Sequence, residues 1–221
     1  MKAMILAAGR GERLRPLTDN TPKPLLKVGK QSLIEYHLHK LAQTSIKEVV
    51  INVAWLGTQI QQALGNGKKY GLNIHYSDEG TQALETAGGI IKALPLLGDE
   101  PFLIINGDIF TDYDFNKLIQ TNITSEAHLV MVENPDHNHK GDFALEGSWL
   151  KNNGEPLYTY SGIGIYSPEF FAGIANGVVA LAPILKEKIT QQQVSGELFT
   201  GAWTDVGTAE RLQQLNDQLN S

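Results

Sequence analysis

Glycines and cations crowd the stretch that follows the first apolar run of the chain. Leu6-Ala7-Ala8 leads into Gly9, Gly11, Glu12, Arg13 and Arg15, and Lys23 stands further on between Pro22 and Pro24. Without a Cβ, a glycine lets backbone N–H groups approach an anion closely and can adopt positive φ. The cations add the full charges that a triphosphate requires beside directional donors. The two prolines fix the backbone around Lys23 and steady the base of its long stem. Taken singly, Gly-x-Gly is a turn and Lys23 a solvated loop lysine. The loop is not a Walker loop, which would read GxxxxGK followed by Ser or Thr, and the third glycine of the dinucleotide fingerprint is missing.

Two carboxylates have the complementary character. Asn106-Gly107-Asp108 follows an apolar run, and Trp203-Thr204-Asp205-Val206-Gly207-Thr208 repeats the pattern of apolar flank, aspartate, glycine and helix start. Magnesium takes one or two carboxylates together with phosphate oxygens and water, so a pair of aspartates converging from separate elements would suit it. The alternative for Asp108 is a turn cap, and for Asp205 a turn residue ahead of Thr208, which is a candidate N-cap. A third polar region, Ser77 to Gly89, joins a strand to a helix. Either Glu79 or Gln82 offers a polar edge to a base, and Gly88 and Gly89 permit close backbone approach; the alternative is a loop packed on the sheet with Thr86 as cap. His37 lies on an apolar helix face and reads as a packed histidine. His137 and His139, at i, i+2 in an apparent loop, read as solvated.

The elements that must position these groups follow from periodicity. Lys2–Ala8, Lys47–Val53, Leu72–Tyr76 and Pro101–Ile105 read as strands. They alternate with helical segments at Leu33–Leu41, which Ser32 caps, and at Thr58–Leu64 and Thr86–Leu94. Such alternation gives βαβ units and a mainly parallel sheet flanked by helices, with ligands bound beyond the carboxyl ends of the strands. That rule points to the loop after Ala8 and the turn after Ile105. The second half reads as strands at Ala127–Glu133, Phe143–Leu145, Trp149–Leu150 and Tyr158–Tyr166, with helices at Leu181–Ile189 and Thr208–Leu219. The expectation is a single α/β domain over residues 1–221.

Composition sets the outer limits. The 221 residues are 42% hydrophobic, enough for a substantial core. A net charge of −6 argues against sequence-independent nucleic-acid binding. The absence of cysteine excludes disulfides and thiolate metal sites. No apolar run reaches membrane-span length and the N-terminal stretch is too short for a secretory signal, so the expected location is cytoplasmic, with no membrane, nucleic-acid or obligate protein partner.

The run Leu6-Ala7-Ala8-Gly9-x-Gly11-x-Arg13-Leu14-x-Pro16-Leu17-Thr18, followed by Pro22-Lys23-Pro24-Leu25, resembles the N-terminal signature of the sugar-nucleotide pyrophosphorylases, a nucleotidyltransferase family with a Rossmann-like fold. The Gly107-Asp108 and Asp205-Val206-Gly207-Thr208 elements resemble the family's metal-binding segments, and the resemblance covers essentially the whole chain. Glu12 departs from the threonine common in the family.

The resemblance implies UTP and a sugar 1-phosphate as substrates and Mg²⁺ as cofactor. It makes Arg13 and Lys23 the catalytic cations and Asp108 and Asp205 the metal ligands. It places Ala8, Gly9, Gly11, Glu12, Arg13, Lys23, Glu79, Gln82 and Gly88 around the nucleotide, and Asn106, Gly141, Asp142, Glu155 and Ser161 around the sugar phosphate, so that residues 1–126 form a mainly nucleotide-binding half and 127–221 a mainly sugar-phosphate-binding half. In detail, including Leu84-Glu85-Thr86 and Gly141-Asp142-Phe143, the chain is similar to the N-acetylmuramate α-1-phosphate uridylyltransferases of cell-wall recycling. The same chemistry on mannose 1-phosphate and GTP, and a non-catalytic sugar-nucleotide sensor, are the competing readings.

Overall fold

The computed structural model of the chain describes residues 1–81 and 83–220. Its first half contains strands β1 (Ala3–Leu6), β2 (Lys27–Val28) and β3 (Gln31–Ser32), helix α1 (Leu33–Ala42), strand β4 (Glu48–Val53), helix α2 (Gly57–Leu64), strand β5 (Asn73–Asp78), helix α3 (Glu85–Leu97), strands β6 (Phe102–Asn106) and β7 (Ile109–Thr111), and helix α4 (Phe115–Gln120). The second half adds strands β8 (Ala127–Val132), β9 (Phe143–Glu146), β10 (Trp149–Lys151) and β11 (Leu157–Tyr166), helix α5 (Leu181–Thr190), strands β12 (Val194–Phe199) and β13 (Trp203–Asp205), and helix α6 (Ala209–Asn220).

Nine strands form one mixed sheet in the order β5-β4-β1-β6-β11-β8-β12-β10-β9. The four strands from the first half are mutually parallel, and β11 joins them by pairing antiparallel with β6. The apolar run of β1 is buried on both faces, as expected of a central parallel strand. Ile5 packs with α1, α2 and α4 on one side, and Met4 with α3 and α5 on the other. Helix α1 starts as its sequence anticipates. The Glu35 carboxylate accepts hydrogen bonds from the Ser32 N–H at 2.8 Å and the Ser32 hydroxyl at 2.7 Å, the reciprocal half of a capping box.

Two short ladders lie outside the main sheet, and both bear on the site. β7 pairs antiparallel with β13, setting Asp205 opposite Ile109. The hairpin β2–β3 receives α6, whose Leu215 packs with Val28, Leu33 and Val206, while Asn216 Oδ1 accepts the Gly29 N–H at 2.7 Å. The end of the chain is thereby fastened to the segment just after the N-terminal loop.

Candidate active site

The carboxyl ends of β1, β4 and β6 converge on a cavity of about 430 Å³, lined among others by Ala8, Gly9, Gly11, Glu12, Arg13, Lys23, Glu79 and Asp108. The loop after β1 owes its shape to Gly11, at φ +65°, which begins a short 3-10 turn over Glu12–Leu14. A Cβ there would come within 2.9 Å of Thr18 Cγ2 and 3.2 Å of Lys23 Cβ. Gly9 differs from expectation: its φ is not positive, and its value lies in space, because a Cβ at that position would meet nothing within 4 Å. Arg13 is exposed and lines the cavity, whereas Arg15 turns to Asp19 at 2.9 Å.

Lys23 heads a 3-10 turn between its two prolines and is only 8% exposed, so it is not a solvated lysine. Its ammonium donates to Asp108 Oδ2 at 2.6 Å. Asp108 follows β6 through Gly107, whose N–H donates to the Leu6 carbonyl at 2.9 Å. A Cβ on Gly107 would stand 2.6 Å from that oxygen, so the residue is glycine to let the two strand ends touch. The Asp108 carbonyl accepts the Val206 N–H at 2.7 Å, and the β7–β13 ladder therefore brings the two aspartates onto adjoining strand ends.

Asp205 has company that the sequence did not suggest. Its Oδ1 accepts from the Arg211 guanidinium and lies 2.9 Å from His137 Nε2. His137, in the loop between β8 and β9, is therefore drawn to the site. Gly207 makes room for this cluster, since a Cβ there would approach Arg211 Nη2 to 2.2 Å and Asp205 Oδ2 to 2.9 Å. Among the described residues no set of three or more His, Asp or Glu side chains is gathered to ligate a metal. Two aspartates alone offer hard oxygen donors, the set that suits a cation completing its shell with phosphate and water.

Other expected site residues fall in different places. Glu79 lines the cavity, but its carboxylate is committed. Oε1 accepts from Asn52 Nδ2 at 2.6 Å and Oε2 from the Leu84 N–H at 2.9 Å. Asn52 in turn accepts the Ala7 N–H at 2.7 Å, so Asn52 and Glu79 brace the loop against the start of α3. Gly88 is a packing position: a Cβ would strike the Gly177 carbonyl at 2.1 Å, and its N–H donates to Val179. Ser161 is buried at 1% exposure, its hydroxyl donating to the Val130 carbonyl at 2.6 Å, and so does not face a substrate. Glu155 is exposed in the turn before β11 and lines neither this cavity nor the one adjoining it. Gln82 lies outside the described residues. Asn106, Gly141 and Asp142 line a second, adjoining cavity, and Asn106 lines both. Gly162, at φ +81°, leaves room for Asn106, whose side chain would lie 2.5 Å from a Cβ there. His37 is packed as anticipated; burial first, then nearby Lys40, takes its pKa down to about 4, and its ring is neutral.

Glu85 and Thr86, which the sequence offered as a resembling segment and a helix cap but not as site residues, line both cavities. Glu85 sits at φ +58°, a conformation that costs a non-glycine residue about 1–3 kcal/mol and that clusters at functional sites. Residue type alone does not announce that backbone conformation, since Glu85 is not a glycine. Asn52 did leave a signal, an amide inside the apolar run Val49-Val50-Ile51-Asn52-Val53.

A glycine-shaped loop, a lysine–aspartate pair and a second aspartate at the strand ends of a mixed α/β sheet are an arrangement suited to a nucleotide. The model of the family described as nucleotidyl transferase matches residues 2–143, and the chain belongs to that family. It is 55% identical to the N-acetylmuramate alpha-1-phosphate uridylyltransferase of Neisseria meningitidis serogroup B, over 97% of this chain and 96% of that one. It is 34% identical to the protein of the same name from Caulobacter vibrioides, over 93% and 91% of the two chains. The Drosophila melanogaster mannose-1-phosphate guanylyltransferase catalytic subunit beta is 30% identical over 93% of this chain, which spans only 59% of that subunit. HddC from Yersinia pseudotuberculosis, complexed with GMP-PN, shares the fold at a TM-score of 0.81 and 18% identity, with 99% of each chain covered. A Bacillus anthracis protein crystallised with sucrose gives a TM-score of 0.87 at 24% identity, covering 99% of this chain and 94% of the other.

Proposed function

We propose that this chain is a magnesium-dependent uridylyltransferase that joins UTP to a sugar 1-phosphate, foremost N-acetylmuramic acid α-1-phosphate, in the cytoplasmic recycling of cell-wall sugar. The observation that carries the reading is the convergence of Gly9, Gly11, Arg13, Lys23 and Asp108 on one cavity, with Asp205 held on the strand beside Asp108. Full-length similarity to two uridylyltransferases of that name supports the choice of substrates.

A sugar-phosphate oxygen attacks the α-phosphorus of UTP in line. The bond from that phosphorus to the bridging oxygen breaks, and pyrophosphate leaves with the electron pair. The attacking oxygen is already anionic near neutral pH, so no protein base is needed; alignment and charge neutralisation are what the protein contributes. Arg13 and Lys23 grip the triphosphate and its departing half, and backbone N–H groups around Gly9 approach its oxygens. Asp108 and Asp205 would hold Mg²⁺, which when bound supplies positive charge between the two anionic substrates. Lys23 then exchanges the Asp108 carboxylate for phosphate oxygen. Asn106, Glu85 and Thr86, shared by the two cavities, stand where nucleotide and sugar meet.

The test is a panel of UTP, GTP, dTTP and ATP against N-acetylmuramate, N-acetylglucosamine, glucose and mannose 1-phosphates, scored by pyrophosphate release with and without Mg²⁺. The highest kcat/KM is expected for UTP with N-acetylmuramate α-1-phosphate, and a metal chelator should abolish it. Preference for GTP with mannose 1-phosphate would replace this reading by the guanylyltransferase one. Binding without pyrophosphate release across the panel would leave a sensor.

A further inference from the structure

The second cavity, about 470 Å³, adjoins the first through Leu6, Glu85, Thr86 and Asn106. Phe143, Leu181 and Leu185 give it an apolar stretch. Several of its polar groups are already partnered within the protein. The Asp142 carboxylate accepts the Tyr160 N–H at 2.8 Å and the Asn138 amide at 3.3 Å, and the Tyr160 and Tyr166 hydroxyls meet at 3.0 Å.

Lys186 of α5 is different. It is the one cation among the described residues of the lining, it is exposed, and among the described residues no hydrogen bond or ion pair engages its ammonium. An ammonium is a compact, strongly hydrated charge, and an anionic oxygen matches it better than a neutral hydroxyl does. The phosphate of the second substrate does not meet that demand. It must lie where it can attack the α-phosphorus, in the first cavity with Lys23 and Asp108. An anion at Lys186 is therefore a second one, carried by the sugar itself.

We propose that Lys186 selects the second substrate by pairing with a carboxylate on its sugar, while Phe143, Leu181 and Leu185 cover the apolar part of the substituent that bears it. This rests on the reading of the two cavities as nucleotide and sugar-phosphate sites, and it narrows the acceptor to acid-bearing sugar 1-phosphates. The lactyl ether of N-acetylmuramate, a carboxylate beside a methyl group, has both features.

The experiment compares wild type, Lys186→Met and Lys186→Arg by kcat/KM with N-acetylmuramate α-1-phosphate and with N-acetylglucosamine α-1-phosphate, which lacks the lactyl ether. The readout is the preference ratio between the two. In Lys186→Met the ratio should fall about tenfold or more, the size of a charge-assisted contact. Lys186→Arg should keep most of it. At an exposed position both variants should keep the fold, and circular dichroism checks it. A ratio that stays at the wild-type value overturns the proposal in two ways. If both activities drop in step, Lys186 serves the phosphate common to both substrates; if neither drops, it is a solvated lysine. When wild type turns over N-acetylmuramate α-1-phosphate, such a result removes the Lys186 assignment alone. When wild type does not, the functional reading fails and the assignment falls with it.

Discussion

At the scale of single residues the site turns on the pairing of Lys23 with Asp108, 2.6 Å apart with the lysine side chain 10% and the aspartate 35% exposed. Each charge compensates the other, so removing one leaves its partner without support in a partly desolvated place. Lys23→Met or Asp108→Asn should each cost about 1–2 kcal/mol of stability, below the 3–5 kcal/mol of a fully buried pair because Asp108 keeps contact with water. The double variant should recover much of that loss, since no orphan charge remains. Activity should behave differently. If Lys23 grips the reacting phosphates and Asp108 holds the metal, pyrophosphate release falls about a hundredfold or more in each single variant and is not rescued in the double. Denaturant melts and turnover on the same four proteins check this. Recovery of activity together with stability would reduce the pair to a structural ion bridge.

At the scale of elements, the cap of α1 makes a pH-dependent contribution. Burial alone would raise the Glu35 pKa, but the Ser32 N–H and hydroxyl, the Tyr70 hydroxyl and the charge of Lys27 outweigh it and bring the group from 4.5 to about 2. A carboxyl depressed on folding stabilises the fold fully above its unfolded value, and that contribution drains away as the pH falls through the folded one. Glu35→Gln should therefore lose about 1 kcal/mol at pH 7, with the gap to wild type closing between pH 4.5 and 2 in urea melts. A gap constant over that range would mean that the charge of Glu35 does not support the cap. This helix was legible in the sequence, because Ser32, Glu35 and the Leu33-Ile34-His37-Leu38-Leu41 spacing are all local. So were β1, β4 and β6, from short, dense apolar runs. β12 was not: Ser195-Gly196-Glu197 interrupts its apolar run, and it is a strand because β8 and β10 pair with it on either side. The site divides along the same line. Its glycine-rich loop is contiguous and could be read, whereas the links of Asn52 to Glu79 and of His137 to Asp205 exist only once distant segments are brought together.

For the molecule as a whole, the sheet leaves no seam between residues 1–126 and 127–220 among the described residues. Strand β6 is bonded to β1 on one side and to β11 on the other, and the first cavity draws Gly207 from near the end of the chain as well as Gly9 from near its start. Helix α6 closes the circuit through Asn216 and Gly29. We therefore propose one cooperative domain, in which a ligand held by residues from both ends stabilises the whole. With Mg²⁺ present, UTP at a hundred times its Kd should add about 2.7 kcal/mol. For a chain of this length that corresponds to a rise in Tm of about 5–10 °C. Calorimetry should show one transition before and after addition, moving as a unit. Two transitions, with only the earlier or the later one displaced by UTP, would separate the halves and locate binding in one of them; a shift with GTP but none with UTP would leave cooperativity standing and overturn the choice of base.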